Sequence, residues 1–122
     1  MKALEQENLE ELKEKVYELI SATVIQMQKK TTGKDMAVLA KYFARDLIRE
    51  NSFKRLTFNQ IEDAFHEGIR SKDESKFINI PTFYKWVRRH KKIIDSAEYE
   101  VRTLNKKPEE VPYYQEPLKL LK

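Results

Sequence analysis

The sequence predicts an all-α protein, a bundle of about four helices followed by an extended C-terminal tail. Glycine and proline number only 2 and 4 among 122 residues, while 36% of residues are charged and 40% are hydrophobic. This balance is typical of helices with strongly polar outer faces, because a β-sandwich needs many more turns. A chain of this length suits one modest core. We therefore expect residues 1–107 to form a single helical domain and residues 108–122 to form the tail.

The first helix is predicted from about Leu4 to Lys30. Glutamates crowd its first turns and lysines end it, which complements the helix dipole. Its apolar positions follow three- and four-residue steps. These positions are Leu9, Leu12, Val16, Leu19, Thr23 and Met27. The strict heptad is too short to identify a coiled coil, so packing on its own domain is favoured over a role as a partner-binding or homodimer arm.

Caps predict where the next two helices begin. Thr32 and Asp35, three residues apart, resemble a capping box and open a helix that runs to about Glu50. Thr57 and Gln60 form the clearest capping box in the chain and open a third helix. Apolar residues repeat at helical spacing along both segments, so each is expected to bury one face.

The fourth helix is predicted over about Thr82 to Asn105, since Pro81 suits a helix start and apolar positions then repeat by four and three. Beyond it, three prolines in ten residues predict an extended tail. The tail carries two tyrosines and three leucines, so we expect it to bind across a surface. The core is expected to include Phe43, Leu47, Phe65 and Trp86.

Positive charge is concentrated in the middle of the chain. Residues 1–28 hold 3 basic and 6 acidic groups (−3), residues 29–92 hold 16 and 8 (+8), and residues 93–122 hold 5 and 6 (−1), which sum to the net +4. A basic middle between acidic ends suggests a polyanion site, which the acidic ends could also shield.

Within that middle, the segment TFYKWVRRHKK (residues 82–92) predicts a helix with a cationic face. Four of its cations fall at i, i+3, i+4 and i+7, so they lie along one stripe. We call this group the basic stripe: Lys85, Arg88, Arg89 and Lys92. Such a stripe would bind a polyanion such as DNA. It is equally compatible with the solvated face of an ordinary amphipathic helix.

Three further residues are candidate nucleic-acid contacts. Tyr84 would lie at the front of the fourth helix, and Arg45 and Arg49 follow one polar face of the second. The third and fourth helices invite comparison with a helix-turn-helix, but about eleven residues separate them where the standard turn has three or four. Phosphate contact is therefore better supported than base reading.

Residues 56–92, read LTFNQIEDAFHEGIRSKDESKFINIPTFYKWVRRHKK, carry a family resemblance. The capped helix L-T-x-x-x-I-x-x-A-F-x-x-G-I-R, the phenylalanine-bearing loop and T-F-Y-x-W resemble a segment of small helical proteins of bacterial prophages and other mobile elements. In plan the chain is also similar to phage helicase-loader and replication-accessory proteins. The resemblance implies a genomic setting and a class of partner, and it includes no catalytic motif.

Catalytic motifs are missing from the sequence. Gly33 and Gly68 stand alone, so there is no glycine-rich phosphate loop, and no serine lies in a nucleophile-elbow context. His66 has carboxylates near it at helical spacing, which is common by chance and does not identify a metal site. His90 falls on the apolar face of the fourth helix, as a packed residue would. We predict a non-enzyme with no cofactor and no bound metal.

Composition also points to a compartment. The chain has no cysteine, in keeping with a reducing environment. No apolar run approaches the roughly 18 to 20 residues that span a bilayer, and the acidic segment MKALEQENLEELKEK is unlike a signal peptide. We therefore predict a cytoplasmic protein with no membrane contact.

Together these features predict a DNA-associated accessory protein of a phage or mobile element that binds the phosphate backbone through a basic helix. The alternative is a non-catalytic protein-interaction module that acts through its N-terminal helix or its C-terminal tail. The sequence does not distinguish DNA from RNA, identify a protein partner or determine the oligomeric state.

Overall fold

Four α-helices account for most of residues 2–73 and 76–114, which are the residues that the computed structural model describes. Short 3-10 turns, Leu4–Gln6 and Pro108–Glu110, lie before the first helix and after the last. Within this part of the chain there is no strand, only one isolated bridge between Ala3 and Thr57. The all-α prediction is confirmed. The helices are α1 (Leu9–Met27), α2 (Gly33–Arg49), α3 (Phe58–Arg70) and α4 (Ile80–Arg102).

Each helix begins at a side-chain cap, which satisfies a backbone N–H that has no partner inside the helix. The side chains of Asn8, Thr32, Thr57 and Asn79 each accept a hydrogen bond from the backbone N–H three residues later. At Thr57 the capping box is complete, because the Thr57 N–H donates to Gln60 Oε1 at 2.9 Å. The caps predicted at Thr32 and Thr57 are confirmed.

The predicted helix from Leu4 to Lys30 is wrong at both ends. The Asn8 cap starts α1 late, because the preceding segment is bound elsewhere: the Leu4 N–H donates to the Leu56 carbonyl at 2.7 Å. At the other end Gln28 is left-handed (φ 54°) and closes the helix, so the two lysines after it lie beyond α1. The predicted bounds of the fourth helix also differ from the structure, since it begins two residues earlier and ends three residues earlier than predicted.

The core is formed where α1 packs on α2 and α3 packs on α4. The apolar face of α1 is buried inside its own domain, with Leu12, Val16 and Ile20 fully buried, as the favoured interpretation required. An aromatic cluster joins the two helix pairs, with the Phe65 ring centroid 5.9 Å from that of Phe43. All four residues predicted to be core are fully buried: Phe43, Leu47, Phe65 and Trp86.

The described part of the tail packs against the bundle. Val111 is 5% exposed, and the Tyr113 ring stands edge-on to that of His90 with centroids 5.7 Å apart. Tyr113 has a positive φ of 66°, a backbone conformation that residues other than glycine rarely adopt without supporting contacts. Val111 and Tyr113 thus bring the described part of the tail into contact with the bundle, whereas the tail leucines at 118, 120 and 121 lie outside the described residues. Binding of the whole tail across a surface stays a prediction.

The closest approach between helices is that of α3 and α4. A Cβ atom placed on Gly68 would lie 2.3 Å from the indole ring of Trp86, a distance that forces atoms to move. Both residues are buried, and the Trp86 ring is also edge-on to Phe65 with centroids 5.3 Å apart. Gly68 is therefore needed for packing, although glycine weakens a helix.

Gly68→Ala should destabilise the fold by about 1 to 3 kcal/mol through overpacking against Trp86. This sign is opposite to the usual gain of up to about 1 kcal/mol for glycine to alanine in a helix. Gly33→Ala is the matched control, since its Cβ would meet only the Tyr17 hydroxyl at 3.4 Å. Denaturant unfolding measures both, and a Gly68→Ala protein as stable as the Gly33→Ala protein would contradict the close approach.

Val111→Ala should cost roughly 1.5 kcal/mol, because it removes about two buried carbon groups from the contact between tail and bundle. Val38→Ala is the matched control: this valine is 47% exposed, and its loss should change stability by less than about 0.5 kcal/mol. Equal melting temperatures for the two variants would show that the tail does not add to stability.

Candidate nucleic-acid interface

The basic stripe lies on the outer side of α4. The opposite side of the helix is fixed in the core by Phe83, Trp86, Val87 and His90, all of them buried. Arg88 and Lys92 are exposed, while Lys85 and Arg89 are half-buried. The predicted separation of cationic and buried faces is therefore present, and it rests on a helix that the core holds rigidly.

Lys85, at the beginning of the stripe, is ion-paired with Asp73 in the connection between α3 and α4. The two side chains are 40% and 32% exposed. An ion pair with this much exposure to water contributes about 0 to 1 kcal/mol. Lys85 can therefore exchange Asp73 for another anion at small cost.

Tyr84 lies between α4 and α2. Its ring centroid is 5.2 Å from that of Phe53 and 6.1 Å from that of Phe43, and its hydroxyl lies near the carboxylate of Asp46, which raises the pKa of Tyr84. The guanidinium of Arg88 lies 5.1 Å from the centroid of the Tyr84 ring, within cation–π distance. Tyr84 is thus engaged by the core and by Arg88, so its place in the fold suits holding Arg88 better than stacking on a base.

Arg89 and Lys92 have no ion-pair partner within residues 2–73 and 76–114. Their neighbour Lys91 is paired with Asp95 at 2.7 Å. Unpaired cations on a rigid surface are available to an external anion at the lowest desolvation cost. Arg89 and Lys92 are therefore the residues of the stripe that are readiest to bind a ligand.

Arg45 and Arg49 are not joined to the stripe by any hydrogen bond or ion pair of the described residues. On α2 it is Asp46, one residue after Arg45, that reaches Tyr84. Arg49 follows Asp46 by three residues and so lies on a neighbouring part of the α2 surface, while Arg45 points about 100° away from Asp46. The extension of the basic surface onto α2 stays a prediction.

A second group of cations, which sequence spacing did not reveal, lies at one end of the bundle. Lys29, after α1, lines a recess of about 460 Å³ together with Lys72, Asp73 and Lys76 of the α3–α4 connection. Lys29 also lines a neighbouring groove with Lys30. More than 40 residues separate the two segments, so no helical periodicity could have joined them. We call this group the lysine cluster: Lys29, Lys30, Lys72 and Lys76.

His90 belongs to a buried polar contact. Its Nδ1 lies 2.8 Å from Glu67 Oε2, and its Nε2 is buried with no hydrogen-bond partner in the described part of the chain. The Tyr113 hydroxyl lies near the same Glu67, whose carboxylate raises the pKa of Tyr113 as a hydrogen-bond acceptor and as a negative charge. The Nε2 atom of His90 is therefore turned toward the interior of the bundle.

The carboxylates near His66 are not gathered around it. Glu67 faces His90 and Tyr113, while His66 itself is exposed. Within residues 2–73 and 76–114, no three histidine or carboxylate side chains lie together as metal ligands would.

No family model, curated protein or solved structure matches this chain. None of the helices described is long and apolar enough to cross a membrane. The functional argument therefore depends on the geometry and charge of the surface.

The pKa of Tyr84 is raised from 10.0 to about 12. Burial is the largest cause, followed by the carboxylate of Asp46 and by the negative charge of Glu50. A tyrosine whose pKa is higher in the folded state contributes stability below pH 10 that is lost as the pH rises toward 12. The stability difference between wild type and Tyr84→Phe should therefore hold up to about pH 10 and shrink between pH 10 and 12. Tyr99→Phe, at an exposed tyrosine, controls for loss of a hydroxyl. Thermal melts that give the same difference at pH 9 and pH 12 would contradict this assignment.

Proposed function

We propose that this protein is a DNA-associated accessory protein of a phage or other mobile element, and that the basic stripe binds the phosphate backbone of duplex DNA. The observation that carries the proposal is the pair Arg89 and Lys92, which project from a rigidly packed helix without an ion-pair partner in the described part of the chain. Phosphate oxygens are the anions that such cations bind in nucleic acids.

The remaining cations of the stripe have defined roles in this proposal. Arg88 is oriented by the Tyr84 ring and lies on the side of the stripe that faces α2. The carboxylates of Asp46 and Glu50 lie near Tyr84 on that side and would repel phosphates. Lys85 marks the side of the α3–α4 connection and exchanges Asp73 for a phosphate. DNA is therefore expected to approach from the connection side, away from α2.

The stripe suits backbone binding better than base reading. From Lys85 to Lys92 it extends about 10 Å along the helix, which corresponds to about three base pairs of duplex. Tyr84 is engaged by Phe53, Asp46 and Arg88, which leaves the front of α4 without a free aromatic or amide side chain for base edges. Binding should accordingly be weak, independent of sequence and sensitive to salt.

The setting in a mobile element rests on the resemblance of residues 56–92 to prophage proteins. The genes on either side of the coding sequence test this part of the proposal, since an element of this kind carries integration or replication genes nearby.

The alternative, a protein-interaction module, has less support from the two segments first considered for it. The apolar face of α1 is covered by its own domain, and residues 108–114 dock on the bundle. Among the described residues of these two segments, Ile25 of α1 and Tyr113 of the tail are the large hydrophobic side chains that remain exposed, at 76% and 51%.

Replacing all four stripe residues with glutamine should greatly weaken binding to a duplex of about 20 base pairs. The logarithm of the binding constant falls as the logarithm of the salt concentration rises, by about 0.9 per phosphate neutralised. We therefore expect the wild-type slope to be steeper than that of the stripe variant by roughly 3 to 4. The lower figure counts the three cations other than Lys85, which must first leave Asp73. Gel shifts or fluorescence anisotropy between about 50 and 200 mM salt measure the slope.

The matched control carries the same change of charge at Lys13, Lys15, Lys106 and Lys107, all outside the stripe. Circular dichroism should show that both variants keep the helical fold, because glutamine is a good helix former. If wild type gives no shift at the lowest salt, or the stripe variant binds like the control, the proposal fails and the protein-interaction alternative takes its place.

A further inference from the structure

We infer that the lysine cluster continues the basic stripe into one surface for the backbone of duplex DNA, so that binding involves about twice as many cations as α4 supplies. This inference rests on the proposed function and specifies its surface. The physical link is Asp73, which lines the lysine recess and whose carboxylate is ion-paired with Lys85 of the stripe. The recess therefore adjoins the beginning of the stripe, on the side from which DNA is expected to approach.

Helix dipoles do not account for the number of cations at this end of the bundle. The C-terminal ends of α1 and α3 meet here, and each carries roughly half a negative charge. Lys76 serves this role in part, since its Nζ donates to the Ile69 carbonyl at 2.9 Å. Arg70 also lies here and donates to Gln26 Oε1 at 3.1 Å.

Among the described residues, little further negative charge lies nearby. Asp73 is ion-paired with Lys85, and Asp35 lines the neighbouring groove. Arg70 and the four cluster lysines carry five positive charges, and Asp35 with the two half-charges of the helix ends offsets about two, so the described residues have a local excess of about three positive charges. Such an excess is expected to hold anions or their counterions near the recess.

The geometry also explains why two separated groups would serve one ligand. The stripe alone reaches only about three base pairs, too short a span to hold a duplex at physiological salt. A surface that begins at the lysine cluster, passes Lys85 and continues to Lys92 is longer and follows one side of the molecule. Phosphates along a duplex repeat at regular intervals, so a row of cations gains affinity with each further phosphate reached.

The decisive experiment compares the salt dependence of duplex binding for four proteins. These are wild type, the stripe variant, the charge-matched control above, and a cluster variant with glutamine at Lys29, Lys30, Lys72 and Lys76. We expect a wild-type slope of roughly −6 to −7, reduced by about 3 to 4 in the cluster variant as in the stripe variant. Glutamine at 76 can still donate to the Ile69 carbonyl, so the fold should be retained.

This experiment distinguishes failure of the inference from failure of the proposed function. If wild type binds with a slope near −3 to −4 and the cluster variant behaves like the control, the cluster is not part of the surface, while the proposed function stands. If wild type does not bind duplex at all, the proposed function fails and the inference fails with it.

A second test does not need a quadruple variant. Asp73→Asn removes the one carboxylate known to line the recess and should tighten duplex binding by about twofold to fivefold at low salt, because a repelling charge is lost. Glu10→Gln is the matched control, since Glu10 is paired with Lys13 at 3.0 Å far along the sequence from both cation groups. Equal affinity of these two variants, or weaker binding by Asp73→Asn, would place the DNA away from the recess and overturn the inference.

Discussion

The contact between Trp86 and Gly68 determines most of what this protein presents to solvent. The indole fills the space that a side chain at position 68 would occupy, so α3 and α4 approach closely and α4 cannot rotate about its axis. Once Phe83, Trp86 and Val87 face inward, the helical period places Arg88 on the opposite side, with Lys85 and Arg89 on its two flanks. A buried aromatic thus sets the direction of the cations, although it makes no contact with any ligand they bind.

Carboxylates then decide which cations remain available. Asp46 is engaged by the Tyr84 hydroxyl, and Asp73 by Lys85. Asp46 lies against Tyr84, and Arg88 lies over the Tyr84 ring instead of forming an ion pair among the described residues. Carboxylates therefore lie on two sides of the stripe, with Asp46 near Tyr84 and Asp73 at Lys85.

Glu67 illustrates how tertiary structure reassigns a residue. In the sequence it stands beside His66, where the spacing of the carboxylates does not identify a metal site, and in the fold it lies against His90 of α4 and Tyr113 of the tail. One carboxylate thereby connects three segments of the chain. The described part of the tail is held on the side of α4 that carries His90, and its Pro112 lines a recess together with Lys92 at the end of the basic stripe.

The sequence by itself determined the helical class, two of the four caps, the core aromatics and the stripe, because all of these follow from rules that act over a few residues. Thr57 and Gln60 form a capping box whatever surrounds them, and Phe65 and Trp86 fall on apolar faces by periodicity alone. Only the tertiary structure decided that residues 4–6 lie outside the first helix and bind the segment before α3. The same holds for the position of Asp46 near Tyr84 and for the recess that Lys29 and Lys72 line together. These contacts join residues tens of positions apart, and their geometry depends on how whole helices pack, which local spacing does not encode.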